Sequence, residues 1–271
     1  MNSYHPKSLL NELQYYITPP HDCSYLEKKS ARMVFLDPVH RIDVVTLSEL
    51  SRMGFRRSGD FVYRPECHLC RQCLSSRVPV EDFVMSSKQK KAWKRNQDLS
   101  LKITRPEDAT NMHYTLYERY INERHADGDM YPPSHDQFEK FLLQSCTDSF
   151  FLELWKEDRL ISVSTCDPLD DGLSAVYTFF DPDEHKRSLG VFAILKQIEH
   201  AKSLNLDYIY LGYWVPHSSK MNYKSEYIPL ELLLDGQWRK LNRALTQSET
   251  AQLGDSLMTT LPSGWNNPII K

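Results

Sequence analysis

Three thiols at tight spacing are the residues best suited to chemistry: Cys67, Cys70 and Cys73 in the run Cys67-His68-Leu69-Cys70-Arg71-Gln72-Cys73. A tight turn can bring thiolates at C-x-x-C-x-x-C spacing onto one metal, and Cys23 is available as the fourth ligand of a tetrahedral site. The spacing suits a structural zinc or an iron–sulfur cluster, although the fourth cysteine and the proline of a ferredoxin run are missing. Six cysteines in 271 residues do not suggest a disulfide framework. Cys146 and Cys166 stand alone in apolar surroundings and read as packing groups.

A second concentration of chemistry runs from Ser86 to Arg105. Lys88, Lys90, Lys91, Lys94, Arg95, Lys102 and Arg105 stand against Asp98 alone, and Trp93 sits among the lysines. Cations with an interleaved aromatic suit a nucleic-acid backbone and an unstacked base; a solvated helix face has the same composition. A third is Arg187-Ser188-Leu189-Gly190-Val191-Phe192, where a helix is expected to start after a strand. It is similar to the R/Q-x-x-G-x-G/A loop with which GCN5-type acetyltransferases aim backbone N–H groups at the pyrophosphate of acetyl-CoA. Phe192 replaces the last small residue of that loop and is expected to hinder close approach. With no H-E-x-x-H, Walker loop or G-x-S-x-G, nucleophilic triads and NTP hydrolysis are unsupported.

The elements that must position these groups are legible in the residue pattern. Tyr15-Tyr16-Ile17 precedes a stiff Thr18-Pro19-Pro20 turn, Thr46 and Glu49 form a capping box, and Gly54 ends that helix. Phe61 to Arg64 and Arg77 to Val80 read as strands entering and leaving the cysteine run. Met112, Leu116, Tyr117, Tyr120 and Ile121 share one helix face, ending near Gly128, and Ser134 with Gln137 caps a second helix. Strands are expected at 150–155, 160–166 and 174–180, then a helix carrying Val191, Ile194, Leu195 and Ile198, then a strand at 208–213. Three strands, a helix and another strand argue for a mixed α+β sheet.

Hydrophobic residues make up 41% of the chain and charged residues 25%, as in a globular protein, and no apolar run is long enough to span a membrane. The amphipathic start, Met1 to Thr18, lacks the apolar core of a signal peptide, so a cytoplasmic location is expected. The net charge of −3 conceals an asymmetry: residues 1–105 carry 18 Lys and Arg against 11 Asp and Glu, and residues 106–271 carry 15 against 25. A basic region over 1–105 joined to an acidic domain over 106–271 suggests that a polyanion docks on the first.

These residues together resemble the arginyl-tRNA–protein transferase family, most closely its compact bacterial, leucine-transferring branch. The resemblance rests on His21-Asp22-Cys23-Ser24-Tyr25, Gly54-Phe55-Arg56-Arg57-Ser58-Gly59, Tyr63-Arg64-Pro65 with its cysteines, Arg95-Asn96-Gln97-Asp98-Leu99 and Leu116-Tyr117-Glu118-Arg119-Tyr120. The most specific block runs from Asp171 to Pro182 and contains Tyr177-Thr178-Phe179-Phe180-Asp181. Arg187-Ser188-Leu189-Gly190, Tyr210-Leu211-Gly212-Tyr213-Trp214 and Met221-Asn222-Tyr223-Lys224 complete it, over about residues 15–240. Cys23-Ser24-Tyr25-Leu26 keeps one cysteine of the C-G-Y-C found in eukaryotic relatives, and the third thiol at 67–73 is available to compensate.

The resemblance implies an acetyltransferase-like (GNAT-type) mixed sheet in which charged tRNA replaces acetyl-CoA. It implies transfer of leucine from leucyl-tRNA to the α-amine of proteins that begin with Asp or Glu, marking them for N-degron proteolysis. No cofactor is then required for catalysis, and neither membrane nor DNA is a partner. Because an aminoacyl ester is already activated and an α-amine has a reference pKa of about 7.7–8.0, positioning and oxyanion stabilisation carry most of the rate. Asp181 or Tyr177 is the expected weak base. Arg77, Arg119, Arg124 and Lys224 are candidates for the acceptor's carboxylate, and Phe179 and Tyr213 for the leucyl pocket. Lys88, Lys90, Lys91, Lys94 and Arg95 are expected on tRNA phosphates. The alternatives are arginine as the transferred residue, a coenzyme A-dependent acetyltransferase, and a non-catalytic zinc and RNA-binding module.

Overall fold

Runs of strand-favouring residues and capped helices alternate along the chain, and a computed structural model describes residues 13–38 and 42–259. In order these form β1 (Tyr15–Ile17), β2 (His21–Asp22), β3 (Ser30–Ala31), β4 (Met33–Leu36), α1 (Val44–Arg52), β5 (Arg56–Ser58), β6 (Phe61–Pro65), β7 (Leu74–Pro79), α2 (Ser87–Arg95) and β8 (Ser100–Thr104). Then follow α3 (Asn111–Arg124), α4 (His135–Phe138), β9 (Phe150–Lys156), β10 (Arg159–Pro168), β11 (Gly172–Phe180), α5 (Leu189–Ser203), β12 (Tyr208–Trp214), β13 (Leu230–Leu234), β14 (Gln237–Leu241) and α6 (Gln247–Thr259). The opening stretch expected to be amphipathic lies outside the described residues as far as residue 12. No described helix is long and apolar enough to cross a membrane.

The chain folds as two compact units that cut across the boundary expected near residue 105. The first unit takes residues up to Arg57, Phe61–Pro79 and everything from Tyr210 onward; the second takes Ser58–Asp60 and Val80–Ile209. The basic α2 therefore belongs with the three-strand region that follows it in sequence, and the chain returns to the first unit within β12. Sequence contiguity hides this, because strand pairing joins segments more than a hundred residues apart.

In the first unit β4 lies between β1 and β6, antiparallel to both, with Tyr15 opposite Leu36 and Val34 opposite Arg64. A second set of neighbours runs β14, β13, β7, β12. Here β13 pairs antiparallel with β14 and with β7, placing Glu231 opposite Arg77. Helix α1 is capped not by Thr46 but by Asp43, whose carboxylate accepts from the Thr46 N–H at 2.7 Å. Gly54 follows two residues beyond the helix with φ of +88°, as a glycine stop requires.

In the second unit β11, β10, β9 and β8 lie in that order. They form antiparallel pairs, with Val163 opposite Phe179 and opposite Glu153. The α+β class expected from the pattern is observed. Helix α3 buries Leu116, Tyr117, Tyr120 and Ile121 against Phe151, Leu160, Val163 and Phe179. Full burial of each such side chain contributes about 1.5–3 kcal/mol, so this seam fixes the helix. Met112, expected on the same face, is instead 46% exposed, and the helix ends at Arg124, ahead of Gly128. Ser134 caps α4 through the Gln137 N–H at 3.1 Å, as expected. Gly59 has φ of +57°, and a Cβ there would lie 2.4 Å from the Lys140 carbonyl, so any side chain there would strain the backbone.

Candidate functional site

The family-like motifs place two clusters of polar side chains, one in each unit. In the first unit, β12 carries Tyr210, Gly212 and Tyr213. Gly212 has φ of +80°, and a Cβ there would press on the Arg56 guanidinium at 3.2 Å, so the glycine makes room for a buried arginine. Arg56 donates to the Tyr210 carbonyl at 3.4 Å, and Ser76 donates to that of Gly212 at 2.7 Å. Lys224 is 5% exposed, and its ammonium donates to the Tyr213 carbonyl at 2.5 Å. Burial, with the Arg56 charge beside it, brings its pKa down to about 7 against a smaller opposing pull from Cys73. Its ammonium meets no carboxylate among the described residues. Arg77, by contrast, already holds one: it donates to Glu231 at 2.8 Å and to the Tyr210 hydroxyl at 3.0 Å, over the Trp238 ring at 4.2 Å.

Tyr213, expected in the leucyl pocket, is buried, and its hydroxyl donates to the Gly54 carbonyl at 2.9 Å. It lines a cavity of about 170 Å³ together with Cys23, Cys67, Cys70 and Cys73. The fold thus brings all four expected thiols to one space, and the Cys67 thiol also faces the Arg32 carbonyl at 3.9 Å. Burial first, and mutual repulsion second, push the thiols of Cys67 and Cys73 up. Four soft donors around one space fit a zinc or cluster site in kind. Among the described residues, no three His, Cys, Asp or Glu side chains already stand at metal-binding spacing.

In the second unit, Asp181 closes β11 with its side chain 4% exposed. One carboxylate oxygen accepts from Arg119 at 3.1 Å and from the Asp183 N–H at 3.1 Å; the other accepts from Arg159 at 2.9 Å. Asp181 is therefore an anchor for two guanidinium groups rather than a free base. Burial pushes the Tyr177 phenol well up, which keeps it protonated, a hydrogen-bond donor rather than a base. Phe179 is wholly buried in the core seam, so it cannot line an open leucyl pocket, contrary to expectation. Arg119 is shared between Asp181 and Asp183, and Arg124 is exposed, 5.9 Å above the Phe180 ring.

Lys88, Lys90, Lys91, Lys94 and Arg95 all stand exposed on α2, whose Gln89 and Ala92 are buried. The helix starts with a reciprocal capping box, the Ser86 hydroxyl accepting from the Gln89 N–H and the Gln89 side chain from the Ser86 N–H. That signal was present in the sequence at S-x-x-Q spacing. Trp93 is not a free stacking platform: its ring packs on Phe192 at 5.5 Å with the Lys196 ammonium 5.0 Å above it. Phe192 is thus turned inward at 2% exposure, contrary to the expectation that its ring hinders approach to the start of α5. Arg187 is committed elsewhere, gripping Asp98 at 2.7 and 2.9 Å and Glu184 at 2.7 Å.

One buried network escaped sequence reasoning. The Thr110 N–H donates to His113 Nδ1 at 3.1 Å, which leaves Nε2 as the proton-bearing nitrogen facing Glu153 at 2.9 Å. Thr104 and the Trp155 indole N–H also donate to Glu153. Burial alone would raise the Glu153 pKa; the donated hydrogen bonds outweigh it and hold the pKa below the usual value.

Comparison with known proteins places these motifs. Family models described as "Arginine-tRNA-protein transferase, N terminus" and "Arginine-tRNA-protein transferase, C terminus" match residues 21–91 and 112–234. The aspartate/glutamate leucyltransferase of Acinetobacter baylyi is 81% identical over 271 residues, 100% of both chains. That of Pseudomonas entomophila is 50% identical over 233 residues, covering 86% of this chain and 99% of its own. A crystal structure of FemX overlaps 92% of each chain at a TM-score of 0.45 and 7% identity. With the two models spanning both units and full-length identity of this order, the chain belongs to the arginine-tRNA-protein transferase family.

Proposed function

We propose that the chain transfers leucine from leucyl-tRNA to the α-amine of proteins beginning with Asp or Glu, in the cytoplasm, marking them for N-degron proteolysis. The observation that carries this reading is the 81% identity, over the whole length, to a protein named for that transfer. The acceptor's neutral amine attacks the aminoacyl ester carbonyl, an amide C–N bond forms, and the ester C–O bond to the tRNA breaks. The proton lost by the amine passes to the departing ribose oxygen. With a reference amine pKa of about 7.7–8.0, this step needs positioning more than a strong base.

Lys224 is the best supported of the acceptor-binding candidates. It is a buried cation, beside Arg56, that donates to a backbone carbonyl rather than to an acid. An incoming carboxylate would supply the missing counter-charge. The exposed cations of α2 suit tRNA phosphates, whereas Arg187 is already spent on two carboxylates. The antiparallel strands β9 to β11, followed by α5 with its R-x-x-G start, support an acetyltransferase-like reading of the second unit. A zinc or iron–sulfur centre, held by Cys23, Cys67, Cys70 and Cys73, would serve structure and takes no part in the transfer.

Purified protein incubated with leucyl-tRNA or arginyl-tRNA and with peptides differing only at residue one tests the reading. Transfer of leucine to Asp- and Glu-peptides, but not to Asn- and Gln-peptides, is expected. Transfer of arginine in preference to leucine, or equal use of Asn and Asp, would overturn it.

A further inference from the structure

The first unit holds a second cavity, of about 580 Å³, within the ~300–1,000 Å³ of small-ligand pockets. Trp214 and Tyr223 give it aromatic walls, and Asn222, Gln247 and Thr250 give it uncharged hydrogen-bonding groups. Tyr223 is 45% exposed, and the buried indole N–H of Trp214 has no acceptor among the described residues. Among the described residues no lysine or arginine lines this cavity, and Glu226 does. Phosphates and the acidic residue of an acceptor are therefore poor occupants. An uncharged planar heterocycle with polar edges is a good one.

One wall, α6, is firmly built. Glu249 and Thr246 cap it reciprocally at 2.8 and 3.2 Å, and Arg243 grips Glu249 through both guanidinium nitrogens. Gly254 lets the helix lie directly on the His217 ring, which a Cβ would meet at 2.5 Å, and Asp255 faces the same ring at 3.2 Å. Gln72 donates to the Gly254 carbonyl, and the Arg71 N–H to that of Leu257, both at 3.0 Å. This wall lies past residue 234, where the family model ends. The Acinetobacter baylyi relative aligns through it over all 271 residues.

We propose that this pocket receives the unstacked terminal adenosine of the donor tRNA's single-stranded 3′ end, its base stacked on Tyr223 and its edge read by Asn222 and Gln247. This rests on charged tRNA being the donor. Bases lifted from a single strand are held by aromatic stacking plus amide hydrogen bonds, and a lining without lysine or arginine leaves the phosphates to cations elsewhere.

The test compares the affinity of the full-length protein for intact tRNA and for the same tRNA lacking its terminal adenosine. Intact tRNA is expected to bind about tenfold tighter. Tyr223→Ala should erase that preference while leaving affinity for the shortened tRNA unchanged, which also reports that the variant is folded. Tyr223→Phe, which keeps the stacking face, should retain it, and Thr250→Trp, which fills the cavity from α6, should erase it. A preference that survives both Tyr223→Ala and Thr250→Trp would overturn the assignment. So would variants that lose only affinity for acceptor peptide, since the pocket would then be a peptide site. Failure of the wild-type protein to bind either tRNA would sink the donor reading itself and this one with it.

Discussion

Lys224 donates its ammonium to the backbone carbonyl of Tyr213 at 2.5 Å, and no side-chain acid among the described residues neutralises it. A cation held in this way, beside a second one at Arg56, is ready to receive a carboxylate. Lys224→Met should weaken use of Asp- and Glu-peptides by about 2–3 kcal/mol, roughly 30- to 150-fold in kcat/KM. The loss should appear mainly in the peptide's KM. Burial lowers the ammonium to about 7, so it loses its charge as pH rises through that value. The wild-type peptide KM should therefore climb above pH 7, and that of Lys224→Met should stay flat. Steady-state kinetics between pH 6 and 9 checks both.

Reversing Lys88, Lys91 and Lys94 to Glu should reduce tRNA affinity, because these exposed side chains of α2 suit phosphates. Each neutralised phosphate adds roughly 0.7–0.9 to the slope of log affinity against log salt. The triple variant should lower that slope by about 2–3. An unchanged slope in a salt titration would identify α2 as a solvated face only.

Glu153 is ionised in the fold at a pH where the unfolded chain would already protonate it, since His113, Thr104 and Trp155 all donate to it. Its folded pKa lies below the unfolded value, so it stabilises the fold above that value and ceases to do so as pH falls through the folded pKa. Glu153→Gln should cost about 1–3 kcal/mol at neutral pH. It should also flatten the loss of stability below about pH 4.5. Denaturant unfolding at pH 4 and pH 7 separates the two effects.

Gly59→Ala should destabilise the protein by about 1–3 kcal/mol. Its φ is positive, and the new Cβ would sit 2.4 Å from a backbone carbonyl that cannot swing away as a side chain would. A lowered Tm in calorimetry, with unaltered tRNA affinity, is the expected result.

Protein purified without air should carry about one zinc ion or one cluster per chain, held by the thiols of the smaller cavity. Cys73→Ser should lower the metal content and the Tm together, because ligand binding is linked to folding. Elemental analysis and absorbance distinguish zinc from iron. Full stability and activity after loss of any one of these cysteines would count against a metal centre.

Residue types and periodicity determined much of this protein without coordinates. Alternation and length marked β9, β10, β11 and β12, and the spacing of Leu116, Tyr117, Tyr120 and Ile121 marked the buried face of α3, because both signals are local. The same holds for the exposed cations of α2, since a helix whose apolar residues are few must face them inward. Tertiary structure alone decided which residues are already spent. Nothing in the sequence says that Asp181 meets Arg119 and Arg159, that Arg77 meets Glu231 while Lys224 donates to a carbonyl, or that Phe179 is sealed in a core. Those pairings join residues from 11 to 154 positions apart. Their outcome depends on burial and register, which set the cost of an unpaired charge and which no single stretch of sequence contains. For the same reason α6 was illegible as a wall: its weak amphipathic pattern gains meaning only where Gly254 lets it rest on His217.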